Sequence, residues 1–276
     1  MPMSRFLFAR LNIIAEYSDK RQFVFKGLTG HQTRKVRSHL WGFFEVEELA
    51  DFPDYVTGYL TKLKPLYAEE VGDLETHQLG TADVANLAVA KSRFFLHVRT
   101  GIVAYHVIAS HVTRPIFETQ FARLFEEGHQ KFFVSAELQT IEARESFMKA
   151  LAAMDRVALL KLELHPTNPS YNELYRTVDD RLKRLHAKSY REEITAAREG
   201  RGLTVGDDQD VISKVTMAED GYGRAVAVGT REGKRVSVAT SQNPVSAQAD
   251  TRDRSAGQIL GSIVDDFAAL FRRISG

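Results

Sequence analysis

Two β-rich runs, Phe94 to Val98 and Ile102 to Ile108, stand either side of Arg99-Thr100-Gly101 and constrain this chain more than any other feature. Aromatic and branched side chains favour extended backbone, and glycine accepts the positive φ of a tight reversal, so the segment predicts a β-hairpin. Directly after it, Pro115 opens and Gly128 closes a stretch carrying Phe117, Phe121, Leu124 and Phe125. That spacing puts four apolar side chains on one helical face, and proline suits a helix start because the N–H it lacks has no partner there. Strand, strand, helix is an α+β unit whose helix must pack on a sheet.

Strands are predicted over Phe6–Ala15, Gln22–Lys26, Trp41–Val46 and Val56–Leu63, with Gly27–His39 as a basic loop. The second half predicts a strand over Phe132–Leu138, a helix over Arg144–Met154 and a strand over Val157–Leu164, an order compatible with parallel pairing. Ser170 and Glu173 read as a capping box for a helix through Leu185, and Asp207 or Asp208 as the N-cap of a helix near Val211–Glu219. Arg224–Val228 and Lys234–Ala239 form a second hairpin across Arg231-Glu232-Gly233, and Thr240–Asp253 reads as a loop. Ser255 and Gln258 then cap a last helix whose stripe of Leu260, Ile263, Val264, Phe267, Phe271 and Ile274 must be buried against this chain or a partner. The expected fold is α+β, with antiparallel or mixed sheets and helices packed on one face. Two sub-domains are expected, a β-rich one over 1–130 and one over 131–276 closed by the amphipathic helix.

Composition removes several kinds of chemistry. With no cysteine in 276 residues, disulfides, thiolate zinc sites and cysteine nucleophiles are excluded. No stretch approaches the ~18 consecutive apolar residues of a membrane span, so a cytoplasmic protein without membrane contact is expected. Serine nucleophile elbows, paired metalloprotease histidines and the phosphate-loop lysine pattern are absent. No cofactor is predicted. A balance of 37 basic and 36 acidic residues, net +1, gives no global attraction to phosphate, so a nucleic-acid role must rest on local segregation of charge.

Two basic clusters offer such segregation. Arg34, Lys35 and Arg37 lie with His31, His39 and Trp41 in a segment free of carboxylates, where cations could track phosphates while Trp41 stacks on a base; a solvated loop with Trp41 in the core is the plainer account. Arg181, Lys183, Arg184, His186, Lys188 and Arg191 surround the end of the helix from Glu173, where cations also complement the helix dipole and Asp179, Asp180, Glu192 and Glu193 lie close by. Weaker signals remain. His97 and His106 would share a hairpin face if Thr100-Gly101 were the loop, a metal pair short of a third ligand. Lys161-Leu162-Glu163 is similar to the acidic and lysine residues of restriction-type nucleases in reversed order, or is exposed alternation on a strand. Arg34 with His39, and Arg181 with His186, have a spacing that resembles the Arg-and-His motif of small helical ribonuclease toxins.

In the ordered features Tyr55-Val56-Thr57-Gly58-Tyr59-Leu60, Ala90 to His97 and Thr100 to Tyr105, the chain resembles an uncharacterised bacterial family often encoded among antiviral genes. In size, and in a second half with strands, an Asn168-Pro169 turn and a closing helix, it is also similar to the phage lambda exclusion protein RexA and the Kiwa protein KwaB. That resemblance implies an oligomeric DNA-binding component of a defence system, with nucleic acid, a second copy and a partner defence protein as candidate partners; it assigns no binding residue. A nuclease or toxin effector, or a structural adaptor docking a partner through the last helix, is the alternative.

Overall fold

The first strand, Ser4–Ile14, is buried on both faces, the signature of a central strand packed from two sides. Leu7, Ala9 and Leu11 point into one core, while Phe6 and Phe8 point into another. A computed structural model describes every residue except 1–2, 31, 73–78, 131–133, 168–171, 198–199, 201 and 276. In chain order its elements are β1 (Ser4–Ile14), α1 (Lys20–Thr29), β2 (Thr33–Val36), β3 (His39–Leu49), β4 (Phe52–Gly72), β5 (Leu79–His97), β6 (Ile102–His106), α2 (Arg114–Gly128), β7 (Ser135–Thr140), α3 (Ser146–Ala152), β8 (Arg156–Leu164), α4 (Arg176–Arg184), β9 (Tyr190–Thr195), α5 (Gln209–Met217), β10 (Gly223–Arg231), β11 (Lys234–Ala239), β12 (Ser246–Ala249) and α6 (Ala256–Ser275). A 3-10 turn (Glu173–Tyr175) precedes α4, and a π-helical turn (Ala218–Tyr222) joins α5 to β10.

This is an α+β fold of two antiparallel sheets. The larger runs β12-β1-β6-β5-β4-β3-β2, with β7 also paired to β1, and the smaller runs β11-β10-β8-β9. Helices α1 and α2 cover one face of the larger sheet through Val24, Leu28, Phe117, Phe121 and Phe125, and α6 covers the other through Ile259, Leu260, Ile263 and Phe267. In the smaller sheet, Phe147, Leu182, Val211 and Val215 from α3, α4 and α5 pack on Leu160, Leu162 and Leu164, while Lys161 lies exposed on the opposite face. Helices therefore lie on one face of the smaller sheet, as expected, and on both faces of the larger. Strands on both sides of residue 130 share the larger sheet, because β7 and β12 pair with β1.

Several local expectations change. Gln22–Lys26 is helix rather than strand: Asp19 accepts the Gln22 N–H at 3.1 Å, and Val24, Gly27 and Leu28 are buried at helical spacing. The basic loop is a hairpin, β2 to β3, with Val36 paired to His39 across Arg37-Ser38 and Arg37 in the left-handed region at φ 55°. The central hairpin turns through four residues, since His97 pairs with Ile102, and Gly101 sits at φ 72° where a Cβ would meet the Leu11 carbonyl oxygen at 2.8 Å. Strands β7 and β8 do not pair in parallel but lie in different sheets. The loop at Thr240–Asp253 contains β12, which pairs with the start of β1. Phe132, Asn168-Pro169 and Ser170 fall outside the described residues.

The caps at Asp208 and at Ser255 with Gln258 form as expected: the Asp208 carboxylate accepts from Asp210 and Val211, and Ser255 and Gln258 exchange hydrogen bonds. The stripe on α6 is consumed inside the chain, with Leu260, Ile263 and Phe267 all buried. This removes the apolar face on which an adaptor role was expected to rest. Phe267 meets Phe8 and Tyr55 edge-on at 5.2 and 5.1 Å. Phe267→Ala should lower stability by about 3–5 kcal/mol, measured by urea denaturation, as expected when a buried aromatic leaves a cavity.

Candidate nucleic-acid interface

The hairpin and helix that carry the basic residues divide them into engaged and free cations. Arg34 Nη1 donates to Glu127 on α2 at 2.7 Å, and Lys183 Nζ reaches Asp179 at 2.7 Å and the Thr167 hydroxyl at 3.0 Å. Trp41, expected to stack on a base, is 4% exposed in the main core and has Lys62 over its ring at 5.8 Å. Lys35, Arg37, Arg181, Arg184 and Lys188 are exposed and form no ion pair among the described residues. The first two sit on the edge hairpin of the larger sheet and the last three around the end of α4. A further set, Arg224, Arg231, Lys234 and Arg235, lies exposed on the β10–β11 hairpin. Three of these, Arg231, Lys234 and Arg235, flank the hairpin turn and are visible in the sequence as a local basic cluster.

The weaker chemical signals dissolve into pairings. Lys161 lies 2.8 Å from Glu193, and Glu163 2.6 Å from Arg191, as cross-strand partners on the uncovered face of the smaller sheet. These oppositely charged pairs account for the nuclease-like alternation. His106 lies four residues along β6 from the position opposite His97, about 13 Å at ~3.3 Å per residue, too far to share a metal. His97 Nδ1 is instead 2.8 Å from the Thr100 hydroxyl, His106 packs against Phe6, and burial lowers the pKa of both. Among the described residues no three His, Asp or Glu side chains could hold a metal ion. Arg34 and His39 lie on different strands, and His186 lies beyond the end of α4 at φ 50°, so neither Arg-and-His pair is helical.

Behind these surfaces lies a polar junction that local charge counting misses. Arg10, 1% exposed, donates through Nε to the Asp220 carbonyl at 2.9 Å and through Nη1 to the Thr100 carbonyl at 2.9 Å and the Tyr222 hydroxyl at 2.8 Å. Its guanidinium also lies 4.2 Å from the centre of the Tyr222 ring. Asn12 donates to the Gly221 carbonyl at 2.8 Å, and Arg273 from α6 pairs with the Asp220 carboxylate at 2.8 Å. Burial pushes the Asp220 carboxyl above its ordinary value, while Arg273 and Arg10 pull it down. Gly221, at φ 83°, brings the π-helical turn so close that a Cβ would lie 2.9 Å from the Arg10 Cβ. The only trace in the sequence is the pair Arg10 and Asn12 on one face of an otherwise apolar strand.

A second contact joins the sheets. Buried His165, just after β8, has Glu137 of β7 at 3.0 Å from Nε2 and the Lys188 carbonyl at 3.2 Å from Nδ1. Both ring nitrogens face acceptors, an arrangement suited to the doubly protonated ring. Burial opposes that charge, but Glu137, the Lys188 carbonyl and Glu163 outweigh it and raise the His165 pKa, while the contact with His165 lowers that of Glu137.

Fold and surfaces together define an α+β protein of two antiparallel sheets locked by buried arginine, with exposed unpaired cations on three hairpin or helix-end elements and no metal-ligand cluster among the described residues. The chain belongs to the family described as domain of unknown function DUF4747, whose family model matches residues 5–265. No curated protein matches it. Among the described residues no helix is long and apolar enough to cross a membrane.

The His165 contact has a defined pH signature. A raised folded-state pKa contributes stability that is fully present below the ordinary value of 6.5 and is lost as pH rises through the raised value. In urea titrations at several pH values, the stability difference between wild type and His165→Gln should therefore shrink as pH rises above 6.5. A difference independent of pH would show that the ring is neutral in the fold.

Proposed function

We propose that this chain is a non-enzymatic nucleic-acid-binding protein that holds duplex DNA by phosphate contact, as a component of a bacterial antiviral system. The observation that carries the reading is segregation of charge. Residues 65–90, most of which lie on β4 and β5, contain five carboxylates and no lysine or arginine; the rest of the chain holds 37 basic and 31 acidic residues, a net +6. A nearly neutral chain therefore has a basic body. Arg181, Arg184 and Lys188, with Lys35 and Arg37, remain free to meet phosphate, whereas Arg34 and Lys183 serve ion pairs within the fold. The defence setting rests on the resemblance alone.

Binding of labelled duplex DNA across a salt series tests this, with magnesium present and the DNA checked for cleavage. Affinity should fall steeply between about 50 and 200 mM salt. Arg181→Ala, Arg184→Ala and Lys188→Ala together should flatten the log-log salt slope by about 2–3, at roughly 0.9 for each lost phosphate contact, without changing stability. No binding at low salt would sink the reading, cleavage would replace it with a nuclease, and an unchanged slope would move the contact to other cations.

A further inference from the structure

Strands β4 and β5 run far past their neighbours. Strand β3 pairs with β4 only as far as Leu63, and β6 pairs with β5 only from Phe94 to His97, yet the β4–β5 ladder continues from Lys64 opposite Leu87 to Gly72 opposite Leu79. Nine residues of β4 thus extend about 30 Å at ~3.3 Å per residue as a two-stranded ribbon, with no third strand paired to it among the described residues. A ribbon of this kind is marginally stable alone in water, and both its edges present unpaired N–H and C=O groups. Leu66, near its base, is 62% exposed.

We propose that this arm docks on the basic body of a second copy of the same chain. The argument for that occupant is the charge pattern within one sequence: five carboxylates and no lysine or arginine over residues 65–90, against a net +6 elsewhere. Like charge excludes a nucleic acid as the arm's partner. A second copy supplies the complementary field, and reciprocal docking of two arms closes a two-fold dimer in which each body receives its partner's arm. The contact does not rest on the nucleic-acid reading, since it forms between protein molecules alone.

Sedimentation of the full chain without nucleic acid tests the inference independently of any DNA measurement. A dimer is expected at an ionic strength of about 0.05 M, weakening at least tenfold near 0.5 M, where the Debye length is only a few ångströms. Two variants should each yield monomer at low salt: one with residues 66–85 replaced by Asn-Gly, and one retaining the ribbon but carrying Glu69→Lys, Glu70→Lys and Asp83→Lys. The second keeps the test decisive should the first fail to fold, and circular dichroism verifies both. A monomeric wild type at low salt, or a dimer that survives the charge reversal, would overturn the proposal.

Discussion

A buried arginine is costly unless its donors find partners, and Arg10 places its Nε and Nη1 on parts of the chain that are distant in sequence, while Nη2 makes no hydrogen bond among the described residues. Its side chain rises from the central strand of the larger sheet and takes the Thr100 carbonyl at the hairpin turn and the Asp220 carbonyl and Tyr222 hydroxyl in the π-helical turn. Removing a guanidinium from water is costly unless its hydrogen bonds are replaced, so the surrounding segments are constrained to supply them. The π-helical turn is where they meet. Glu219 accepts the N–H groups of Glu145 and Phe147 at the start of α3, Asp220 receives Arg273 from α6, and Tyr222 leads into β10. This five-residue π-helical turn, with Gly221 at positive φ, presents Glu219, Asp220 and Tyr222 to three different parts of the chain.

With the larger sheet covered on both faces and the smaller on one, the uncovered face of the smaller sheet is occupied by cross-strand ion pairs, and such exposed pairs contribute little stability. Lys35, Arg37, Arg181, Arg184 and Lys188, exposed and without an ion pair among the described residues, lie on the β2–β3 hairpin and around the end of α4. The acidic segment lies mainly on a ribbon that leaves the body. A protein neutral overall thereby carries two parts of opposite charge, which composition alone hides.

Where the chain signalled its own structure, the signal was local. The Phe94–Ile108 hairpin, the aromatic stripe of α2 opened by Pro115, the Asp208 cap and the Ser255–Gln258 cap all arise from interactions within a few residues, and each forms. Local reasoning failed at Phe23-Val24-Phe25, where three consecutive apolar residues suggest a strand but Asp19 and the spacing of Val24 and Leu28 favour a helix. It also failed for Arg34, Lys183 and Trp41. Charge and aromaticity are visible in a sequence, but whether a carboxylate stands within 3 Å of a cation, or a sheet covers an indole, depends on residues about 90 positions away in the case of Arg34 and Glu127.

The sequence by itself determined the α+β class, the caps at Asp208 and at Ser255 with Gln258, most strands and the exclusion of cysteine chemistry, because propensity, periodicity and composition act over short distances. Only the tertiary structure decided which cations are free, that α6 is buried within its own chain, that β4 and β5 extend as an arm, and that Arg10 and Asn12 lock two sheets together. Those outcomes depend on contacts between segments as far apart as Phe8 and Phe267 in the chain. Such pairings are selected by the joint burial of many groups, and no single stretch of sequence records that sum.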